Sequence, residues 1–317
     1  MSEAVFITHC DMNYLSRALV LGDSLQEFTP SSQFIVFCHD DETQTIGNLN
    51  KSSNTVFIHL EDVILHFPEL TISKSNRSHL EFLYSLTPFI MKYTLEVLDF
   101  QRCVYVDADE CFFNNLDVIL QEPKKSEIAI AGHNFTSRLK HLETRGKYNV
   151  GIVYAKAGSK SELILNWWAK QCIVSTSIDM SDRSVFGDQM YLDSFRALYP
   201  GTHLYEDTGI NAAPWNLSGK KLLRKSLVAI PTKIVCFHFS GLIVGKYFYL
   251  AGFHKYGNYL PRNIRQAIFE PYVRKLLEKE FLIRGTEASY MHISPRNVLR
   301  GVIFRDLHLR LQFNRKN

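Results

Sequence analysis

Short apolar runs alternate with longer stretches of helical spacing along most of the chain. Runs rich in β-branched and aromatic residues predict buried strands, and apolar residues at intervals of three and four predict amphipathic helices. The alternation of the two element types predicts an α/β fold. The predicted strands are Val5–Thr8, Gln33–Cys38, Thr55–Leu60, Cys103–Val106, Glu127–Ala131, Gly151–Ala155 and Ile234–Phe239. The predicted helices in this part are Leu15–Phe28, Ser78–Leu98 and Ser161–Cys172.

Two of these helices contain residues that bear on packing. Pro88 lies inside the helix predicted over 78–98 and lacks the N–H that an interior turn uses, so we expect a kink or a break there. Trp167 and Trp168 lie side by side in the helix predicted over 161–172, and such large aromatic residues favour burial in the core.

The pattern changes after Pro261 to a helix rich in charged residues, predicted over Asn263–Glu280. We therefore expect an α/β domain at residues 1–255 and a helical, basic C-terminal extension at residues 256–317. Within that extension, apolar residues from 298 to 303 fall at helical spacing, and from 307 to 313 apolar and polar residues alternate as in a strand. Gly301 weakens the expected helix.

Composition narrows the class of protein. The chain has 317 residues, of which 46% are hydrophobic and 21% are charged, as in globular proteins. No stretch approaches the roughly 18 apolar residues of a membrane span, and the N-terminus lacks the pattern of a secretory signal. The six cysteines are scattered without C-x-x-C spacing. That spacing disfavours a zinc site or a disulfide framework and favours a cytoplasmic location.

The net charge of +4 is concentrated near the C-terminal end of the sequence. Residues 295–317 contain six Lys/Arg and one acid, and the remainder is essentially neutral, which argues against nucleic acid as a partner. Apolar and basic residues interleaved in this way suit the surface of an anionic membrane. They equally suit a segment packed on the body or an oligomer interface. The first interpretation predicts peripheral contact with the inner face of the membrane through residues 295–317.

Two carboxylates follow the strand predicted over 103–106. Asp107 and Asp109 are one residue apart, directly after a buried apolar run. In an open α/β sheet, ligands bind outside the carboxyl ends of the strands. Two acids at such a position can hold a hard divalent cation against a diphosphate. The alternative is a strand that ends in a solvated acidic turn.

Three other segments place polar side chains near predicted strands or helices. The first strand is followed by Asp-Met-Asn-Tyr at 11–14, and a segment at 186–193 has the sequence Phe-Gly-Asp-Gln-Met-Tyr-Leu-Asp. The last predicted strand leads into His-Phe-Ser-Gly at 238–241. Together with the Asp-x-Asp, these motifs resemble the GT-A glycosyltransferases over about residues 4–242. Within that group the chain is most similar to glycosyltransferase family 8 and related bacterial capsule and lipopolysaccharide transferases.

The resemblance implies a Rossmann-like nucleotide-sugar-binding domain with a mixed, mostly parallel sheet, and it assigns the donor side of the site. A Mn²⁺ or Mg²⁺ ion would be held by Asp107, Asp109 and His238, with Asp107 shared between the metal and the ribose. Glu110 is expected to face away. Lys246 is the nearest lysine after His238 and becomes the candidate for the diphosphate. The residues implied to hold the nucleotide are Thr8, Asp11, Asn13 and Tyr14.

The resemblance also assigns the sugar side of the site. Asp188 and Gln189 would contact the sugar near its anomeric carbon. Met190 and Asp193 depart from the family pattern, in which these positions are an acid and an asparagine. The residues expected to line the sugar and acceptor pocket are Asn149, Gly151, Asn211 and Trp215.

Each of these assignments has a structural alternative. Asp11 or Asn13 can cap the helix that begins near Leu15, and Asp188 can cap the segment that follows it. Trp215 can be a plain packing residue. A histidine after an apolar strand, such as His238, is often a core residue with a satisfied ring.

The activity implied is transfer of a sugar from a nucleotide-diphosphate donor, expected to be a UDP-sugar, to a saccharide or lipid-linked saccharide acceptor, with retention at the anomeric carbon. A phosphatase or phosphotransferase of the haloacid dehalogenase type also uses Asp-x-Asp after a strand, but that strand is normally the first, whereas three predicted strands precede this one. A nucleotidyltransferase lacks support because no Gly-rich basic loop follows the first strand. A non-catalytic protein that binds sugar nucleotides is a third alternative.

Overall fold

A seven-stranded mixed sheet is the central element of the computed structural model. The model describes residues 4–123, 125–179, 185–207, 209–217, 234–285 and 294–309. Its strand order is β3-β2-β1-β4-β7-β6-β8. Strand β7 is antiparallel to both of its neighbours, and the other pairings are parallel. The strands are β1 (Val5–Cys10), β2 (Gln33–Cys38), β3 (Thr55–His59), β4 (Arg102–Val106), β6 (Ile128–Gly132), β7 (Tyr148–Lys156) and β8 (His203–Tyr205). The predicted α/β fold with a mixed, mostly parallel sheet is confirmed.

Both faces of this sheet are buried, which explains why its strands are nearly continuous apolar runs. Alternate residues of a strand point to opposite faces. Val5 and Ile7 therefore join one hydrophobic cluster, with helices α5 (His79–Glu96) and α7 (Ser159–Val174), and Phe6 joins another with α1 (Leu15–Phe28). The remaining helices before residue 200 are α2 (Asp41–Asn50), α3 (Leu60–His66), α4 (Leu70–Asn76), α6 (Asp117–Gln121) and α8 (Phe195–Leu198).

Helix α5 runs without a break through Pro88, which excludes the break, whereas the kink stays a prediction. The helix begins at a capping box, in which the Ser78 side chain accepts from the Glu81 N–H and the Glu81 side chain accepts from the Ser78 N–H. Buried side chains on both sides of the proline, among them Leu86 and Phe89, pack into the core. Tertiary packing therefore offsets the one hydrogen bond that the proline cannot make. The prediction for the tryptophans is confirmed, because Trp168 is fully buried and Trp167 packs against the same cluster.

Two smaller sheets lie beside the central one. Strand β5 (Glu110–Phe112) pairs antiparallel with β9 (Cys236–His238), and this pairing sets Glu110 directly opposite His238. The second small sheet is antiparallel and consists of β10 (Ile243–Val244), β11 (Phe248–Leu250) and β12 (Leu307–Leu309).

The C-terminal extension packs on the first part of the chain. It contains α9 (Arg262–Ile264), a π-helical turn (Arg265–Phe269), α10 (Glu270–Arg284) and α11 (Pro295–Ile303). Residues of α10 share a hydrophobic cluster with Val20 of α1, and Ser16 donates to Glu280 at 2.5 Å. Lys279 pairs with Asp23 at 2.7 Å. The two predicted segments are thus joined by one core.

The predicted helix and strand near the C-terminal end are confirmed as α11 and β12, and residues 310–317 lie outside the described part of the chain. Helix α11 continues through Gly301, which is buried against β11. A Cβ at Gly301 would come within 2.4 Å of Leu250 Cδ2, so close approach explains the glycine.

No helix within the described residues has the length and apolar character needed to cross a bilayer. All six cysteines are buried as free thiols.

Candidate active site

Three side chains with metal-ligating atoms meet beyond the carboxyl end of β4. Nε2 of His238 lies 3.3 Å from Asp109 Oδ1 and 3.8 Å from Asp107 Oδ2. One ligand atom from each residue can be chosen so that all three lie within 4.8 Å of one another. The structure therefore brings together the predicted cluster, which joins residues from β9 and from the turn after β4.

Local structure fixes each carboxylate. The Tyr105 hydroxyl donates to Asp107 Oδ1 at 2.8 Å, and the Asp107 N–H donates to the Gly151 carbonyl of β7 at 3.0 Å. The Phe239 N–H donates to the Asp109 carbonyl at 2.9 Å, which ties the turn to the end of β9. The Asp107 and Asp109 side chains remain 29% and 16% exposed, so the cluster opens toward solvent.

The electrostatics of the cluster favour a positive charge. Burial lowers the pKa of His238, but Asp109 and Glu110 outweigh burial and hold that pKa well above its ordinary value. Burial alone would raise the pKa of Asp109, yet His238 holds it below its ordinary value, whereas burial keeps the pKa of Asp107 raised. A cation at this position would compete with a proton for the imidazole.

The donor set fits a divalent cation. Two carboxylates and one imidazole are the oxygen and nitrogen ligands that Mn²⁺ accepts, and carboxylates with open positions also suit Mg²⁺. The Asp107 and Asp109 carboxylates are partly exposed, which leaves room for further oxygen ligands. Asp107, Asp109 and His238 are the residues that would hold the ion.

Glu110, a residue without an assigned role in the sequence-based prediction, lies behind this cluster. As expected, the Glu110 side chain faces away from the carboxylates of Asp107 and Asp109. It is completely buried. Its Oε1 lies 3.2 Å from His238 Nδ1, and its Oε2 accepts from the Cys236 thiol at 2.9 Å. Burial raises the pKa of Glu110 to about 7. An acid followed by Cys-Phe-Phe in a short strand was the available sequence signal.

Asp188 lies close enough to the cluster for Asp107 to affect its protonation. Its side chain accepts from the Thr87 hydroxyl of α5 at 3.0 Å, and its carbonyl accepts from Trp168 Nε1 of α7 at 3.0 Å. Burial, followed by the charge of Asp107, raises the pKa of Asp188 to about 7. The Asp188 side chain makes no capping hydrogen bond to the 3₁₀ helix that follows it, so the helix-capping alternative is wrong.

Comparisons with known proteins add to this geometry. Two proteins of Bacillus subtilis strain 168, the uncharacterized proteins YfnD and YfnF, are similar in sequence. YfnD is 24% identical over 283 residues, which cover 87% of this chain and 89% of YfnD. YfnF is 23% identical over 250 residues, which cover 75% of this chain and 81% of YfnF. No protein-family model matches the chain.

Solved structures decide the fold. The galactosyltransferase LgtC, in complex with donor and acceptor sugar analogues, is 12% identical and superposes with a TM-score of 0.51 over 93% of this chain and 99% of LgtC. An LgtC variant with a glutamine-to-glutamate change in its active site is 15% identical, with a TM-score of 0.50 over 75% of this chain and 87% of the variant. The chain has the GT-A fold.

In this GT-A fold, the predicted nucleotide residues lie at the carboxyl end of β1. Asp11 Oδ1 accepts from the N–H groups of Asn13 and Tyr14 at 2.9 and 3.1 Å, and its Oδ2 accepts from the Asn13 amide. These bonds lie in the turn that precedes α1, whose N-cap is Tyr14 and which has no side-chain capping hydrogen bond. The capping alternative for Asp11 and Asn13 is therefore wrong. Tyr14 is exposed and stacks on the Arg17 guanidinium, whereas Thr8 is buried and its hydroxyl has no hydrogen-bond partner within the described part of the chain. Nucleotide binding by these residues stays a prediction.

The predicted sugar and acceptor residues form a buried layer behind the cluster. Asn149 Oδ1 accepts from the Gly151 N–H and from Asn211 Nδ2, both at 3.0 Å. Trp215 is buried, donates to the His133 carbonyl at 2.8 Å, and packs edge-on against the His238 ring. Trp215 therefore acts as a packing residue here, which is the structural alternative given for it above. Sugar contact by these residues stays a prediction.

The remaining predicted residues lie nearer the surface. The Gln189 amide donates to the Arg145 carbonyl at 2.8 Å, and Asp193 accepts from the Lys147 N–H at the start of β7. Lys246 is exposed in the turn between β10 and β11, where its ammonium lies 5.5 Å from the Tyr247 ring centroid. Lys255 is the lysine that lies against the end of the His-Phe-Ser-Gly segment, because a Cβ at Gly241 would be 2.9 Å from its Nζ.

Tyr84 of α5 is a further residue that sequence reasoning missed. Burial, followed by the charges of Asp188 and Asp107, raises the pKa of Tyr84 to about 12. The ring also packs against Gly187, whose φ of +58° favours glycine. A tyrosine at helical spacing carries no local signal for such a position, because only the packing of α5 against the 186–188 segment creates it.

Proposed function

We propose that this chain is a metal-dependent glycosyltransferase that moves a sugar from a nucleotide-diphosphate donor to a saccharide acceptor. The observation that carries the proposal is the convergence of Asp107, Asp109 and His238 at the carboxyl edge of a GT-A sheet. The solved complex of LgtC with donor and acceptor sugar analogues supports the same pair of partners.

The donor side would be built around the cation site. When bound there, a Mn²⁺ or Mg²⁺ ion would neutralise negative charge on the diphosphate, which is where charge develops as the glycosidic bond breaks. Asp11, Asn13 and Tyr14, at the end of β1, would bind the base and ribose of a UDP-sugar, because the first βα turn of such a sheet faces the nucleotide. Lys246 would add a positive charge for the diphosphate.

The sugar side would be built around Asp188 and Gln189. Departure of the diphosphate leaves an oxocarbenium-like centre at the anomeric carbon, and a nearby carboxylate stabilises that positive charge. Thr87 and Trp168 hold Asp188 in a fixed position beside the metal cluster. We propose retention of configuration, as in family 8, which requires the acceptor to enter on the face from which the diphosphate departs.

The acceptor would be a lipid-linked saccharide, and α11 would bring the enzyme to it. The outward side of α11 carries Leu299 and Val302, which are 62% and 60% exposed, while Arg296 and Arg300 belong to the same helix. An exposed apolar face beside basic residues matches an anionic membrane surface. The protein would then act in the cytoplasm, at the inner face of the membrane.

A panel of nucleotide sugars tests the proposal. The purified protein would be incubated with each donor and Mn²⁺, Mg²⁺ or EDTA, and release of nucleoside diphosphate would be measured beside mass spectrometry of added saccharides. We expect release from one donor class, stopped by EDTA and by Asp109→Asn.

Two other outcomes would contradict the proposal. Release of inorganic phosphate from phosphorylated sugars, without any use of nucleotide sugars, would indicate a phosphatase. Tight, metal-dependent binding of a nucleotide sugar with no turnover in the presence of any saccharide tested would indicate a binding protein.

A further inference from the structure

We propose that Glu110 is a positioning residue, which accepts a hydrogen bond from Nδ1 of His238 and so directs the Nε2 lone pair of that ring toward Asp107 and Asp109. The inference rests on the proposed metal-dependent function and adds to it a residue outside the set of direct ligands. Three independent features of the structure carry it.

The first feature is the register of β5 and β9. These short antiparallel strands place Glu110 directly opposite His238, so the two side chains lie on the same face of the ribbon. Oε1 and Nδ1 are 3.2 Å apart. Both atoms are shielded from solvent, and neither has a hydrogen-bond partner among the described residues. Each atom is therefore the available partner for the other.

The second feature is a hydrogen bond to the other carboxylate oxygen of Glu110. The Cys236 thiol donates to Oε2 at 2.9 Å from the same strand as His238. A buried carboxylate with one oxygen on a thiol and the other on an imidazole has little freedom to rotate. The His238 ring is in turn packed edge-on against Trp215, with the ring centroids 5.1 Å apart. Both members of the pair are thus fixed.

The third feature is the space provided by Gly151. A Cβ at this position would lie 2.2 Å from Glu110 Oε1, closer than real Cβ contacts come, and 3.0 Å from His238 Nδ1. Strand β7 passes directly behind the pair, and only glycine leaves room for it. Besides its predicted role in the acceptor pocket, Gly151 therefore has a second role. The absence of a side chain there allows Glu110 and His238 to come into contact.

The chemical consequence concerns the tautomer of His238. Neutral imidazole carries its proton on one nitrogen, and a carboxylate beside Nδ1 favours the proton there. Nε2 then presents a lone pair, which is the form that binds a cation. Metal-ligating histidines commonly donate their other N–H to a carboxylate, and loss of that partner typically weakens metal affinity by about 10–100-fold.

The test compares Glu110→Met, which removes the acceptor, with Glu110→Gln, which keeps an acceptor without the charge. Mn²⁺ affinity would be measured by electron paramagnetic resonance of free Mn²⁺, with Mn²⁺ as the sole ligand. We expect Glu110→Met to lose about 10–100-fold in affinity and Glu110→Gln to lose less. Glu42→Met, at an exposed glutamate of α2, is the matched control and should leave the Mn²⁺ affinity unchanged.

A second measurement separates positioning from a purely structural role. The tautomer of His238 would be read from ¹⁵N chemical shifts of the metal-free protein labelled at histidine, with the signal assigned through a His238→Gln variant. The spectra would be recorded at a pH above the raised pKa of His238, where the ring is neutral. We expect Nδ1–H in the wild type and in Glu110→Gln, and a mixture of tautomers in Glu110→Met. An unchanged tautomer in Glu110→Met, or unchanged Mn²⁺ affinity with the fold intact, would overturn the proposal.

The two readouts also separate this inference from the proposed function. The tautomer is measured without metal, nucleotide or turnover, so a chain that transfers no sugar would still show the predicted change in Glu110→Met. Failure of the donor panel alone would therefore remove the transferase proposal, whereas failure of the tautomer measurement would remove the role of Glu110.

Discussion

Asp109 lies 3.3 Å from His238 Nε2 at the open side of the candidate metal cluster. Because its carboxylate carries little packing, Asp109→Asn should leave the fold nearly intact. We expect transfer to fall by at least about 100-fold, since charge neutralisation by a metal contributes several kcal/mol to the transition state. Donor consumption in the presence of Mn²⁺ is the measurement. Asp62→Asn, at an exposed acid of α3, is the control, and full activity of Asp109→Asn in EDTA would remove the metal assignment.

Asp188 makes stability depend on pH in a definite direction. Its folded pKa of about 7 is above the ordinary value of 3.8, so the protonated form is favoured by folding. That contribution is present below about pH 4 and is lost as the pH rises through about 7. Relative to Asp188→Asn, the wild type should lose up to about 4 kcal/mol of unfolding free energy between pH 4 and pH 8.

Urea unfolding in EDTA at several pH values checks this expectation. Thr87→Val is a useful companion, because it removes the hydroxyl that lowers the pKa of Asp188 and should shift the transition to higher pH. Parallel pH profiles for the wild type and Asp188→Asn would mean that Asp188 titrates normally.

At the scale of elements, the short strands β5 and β9 matter more than their length suggests. Each has three residues, yet together they carry one predicted metal ligand and the carboxylate behind it. Helix α5 has a comparable role, because its capped, continuous turns bring Tyr84 and Thr87 to the same region. The site is therefore assembled by elements from three distant parts of the chain.

Helix α11 gives a prediction at this scale. Leu299→Glu and Val302→Glu should each weaken binding to vesicles that contain phosphatidylglycerol by about tenfold or more, because burial of such a side chain contributes about 1.5–3 kcal/mol. Flotation at low salt is the measurement, with phosphatidylcholine vesicles as the lipid control. Leu65→Glu, at a 74% exposed residue of α3, should have no effect.

Point variants are preferable here to deletion of the segment. Asp306, which follows α11, lies fully buried with His254 at 2.5 Å and accepts from the Gly252 N–H. Removal of residues from 295 onward would leave the His254 ring without this partner and uncover β11. Failure of the full-length protein to bind anionic vesicles at low salt would contradict the membrane prediction and favour the packing alternative.

At the scale of the whole molecule, ligand binding should increase the free energy of unfolding and so raise the melting temperature. Ligands that bind the folded state alone stabilise it by about 2.7 kcal/mol at 100 times the dissociation constant. We expect Mn²⁺ and UDP together to raise the melting temperature by about 4 °C, and more than either alone. Differential scanning fluorimetry with UDP, GDP, ADP and CDP measures both the effect and the base preference. Asp109→Asn should lose the part that depends on Mn²⁺, and equal responses in both proteins would contradict the site.

Local pattern in the sequence determined the main elements of the fold. Apolar runs identified six of the seven strands of the central sheet, because both faces of that sheet are buried and nearly every position must be apolar. Strand β8, of three residues, was missed. The Asp-x-Asp was recognisable for a similar reason, since two acids directly after such a run stand out. The helix and strand near the C-terminal end were predicted from equally local signals, whereas the role of His238 was implied by the resemblance to glycosyltransferases. The break expected at Pro88 does not occur, because helix propensity is a weak term beside the packing of α5.

Tertiary structure alone decided which residues surround these motifs. Glu110 meets His238 across 128 positions of sequence, and Thr87 meets Asp188 across 101. Gly151 matters because another strand places two side chains against it. Strands of three residues are too short to show a period, and contacts over such separations leave no mark on local periodicity. The sequence therefore determined where the candidate ligands are, and packing of the distant elements decided what holds them in place.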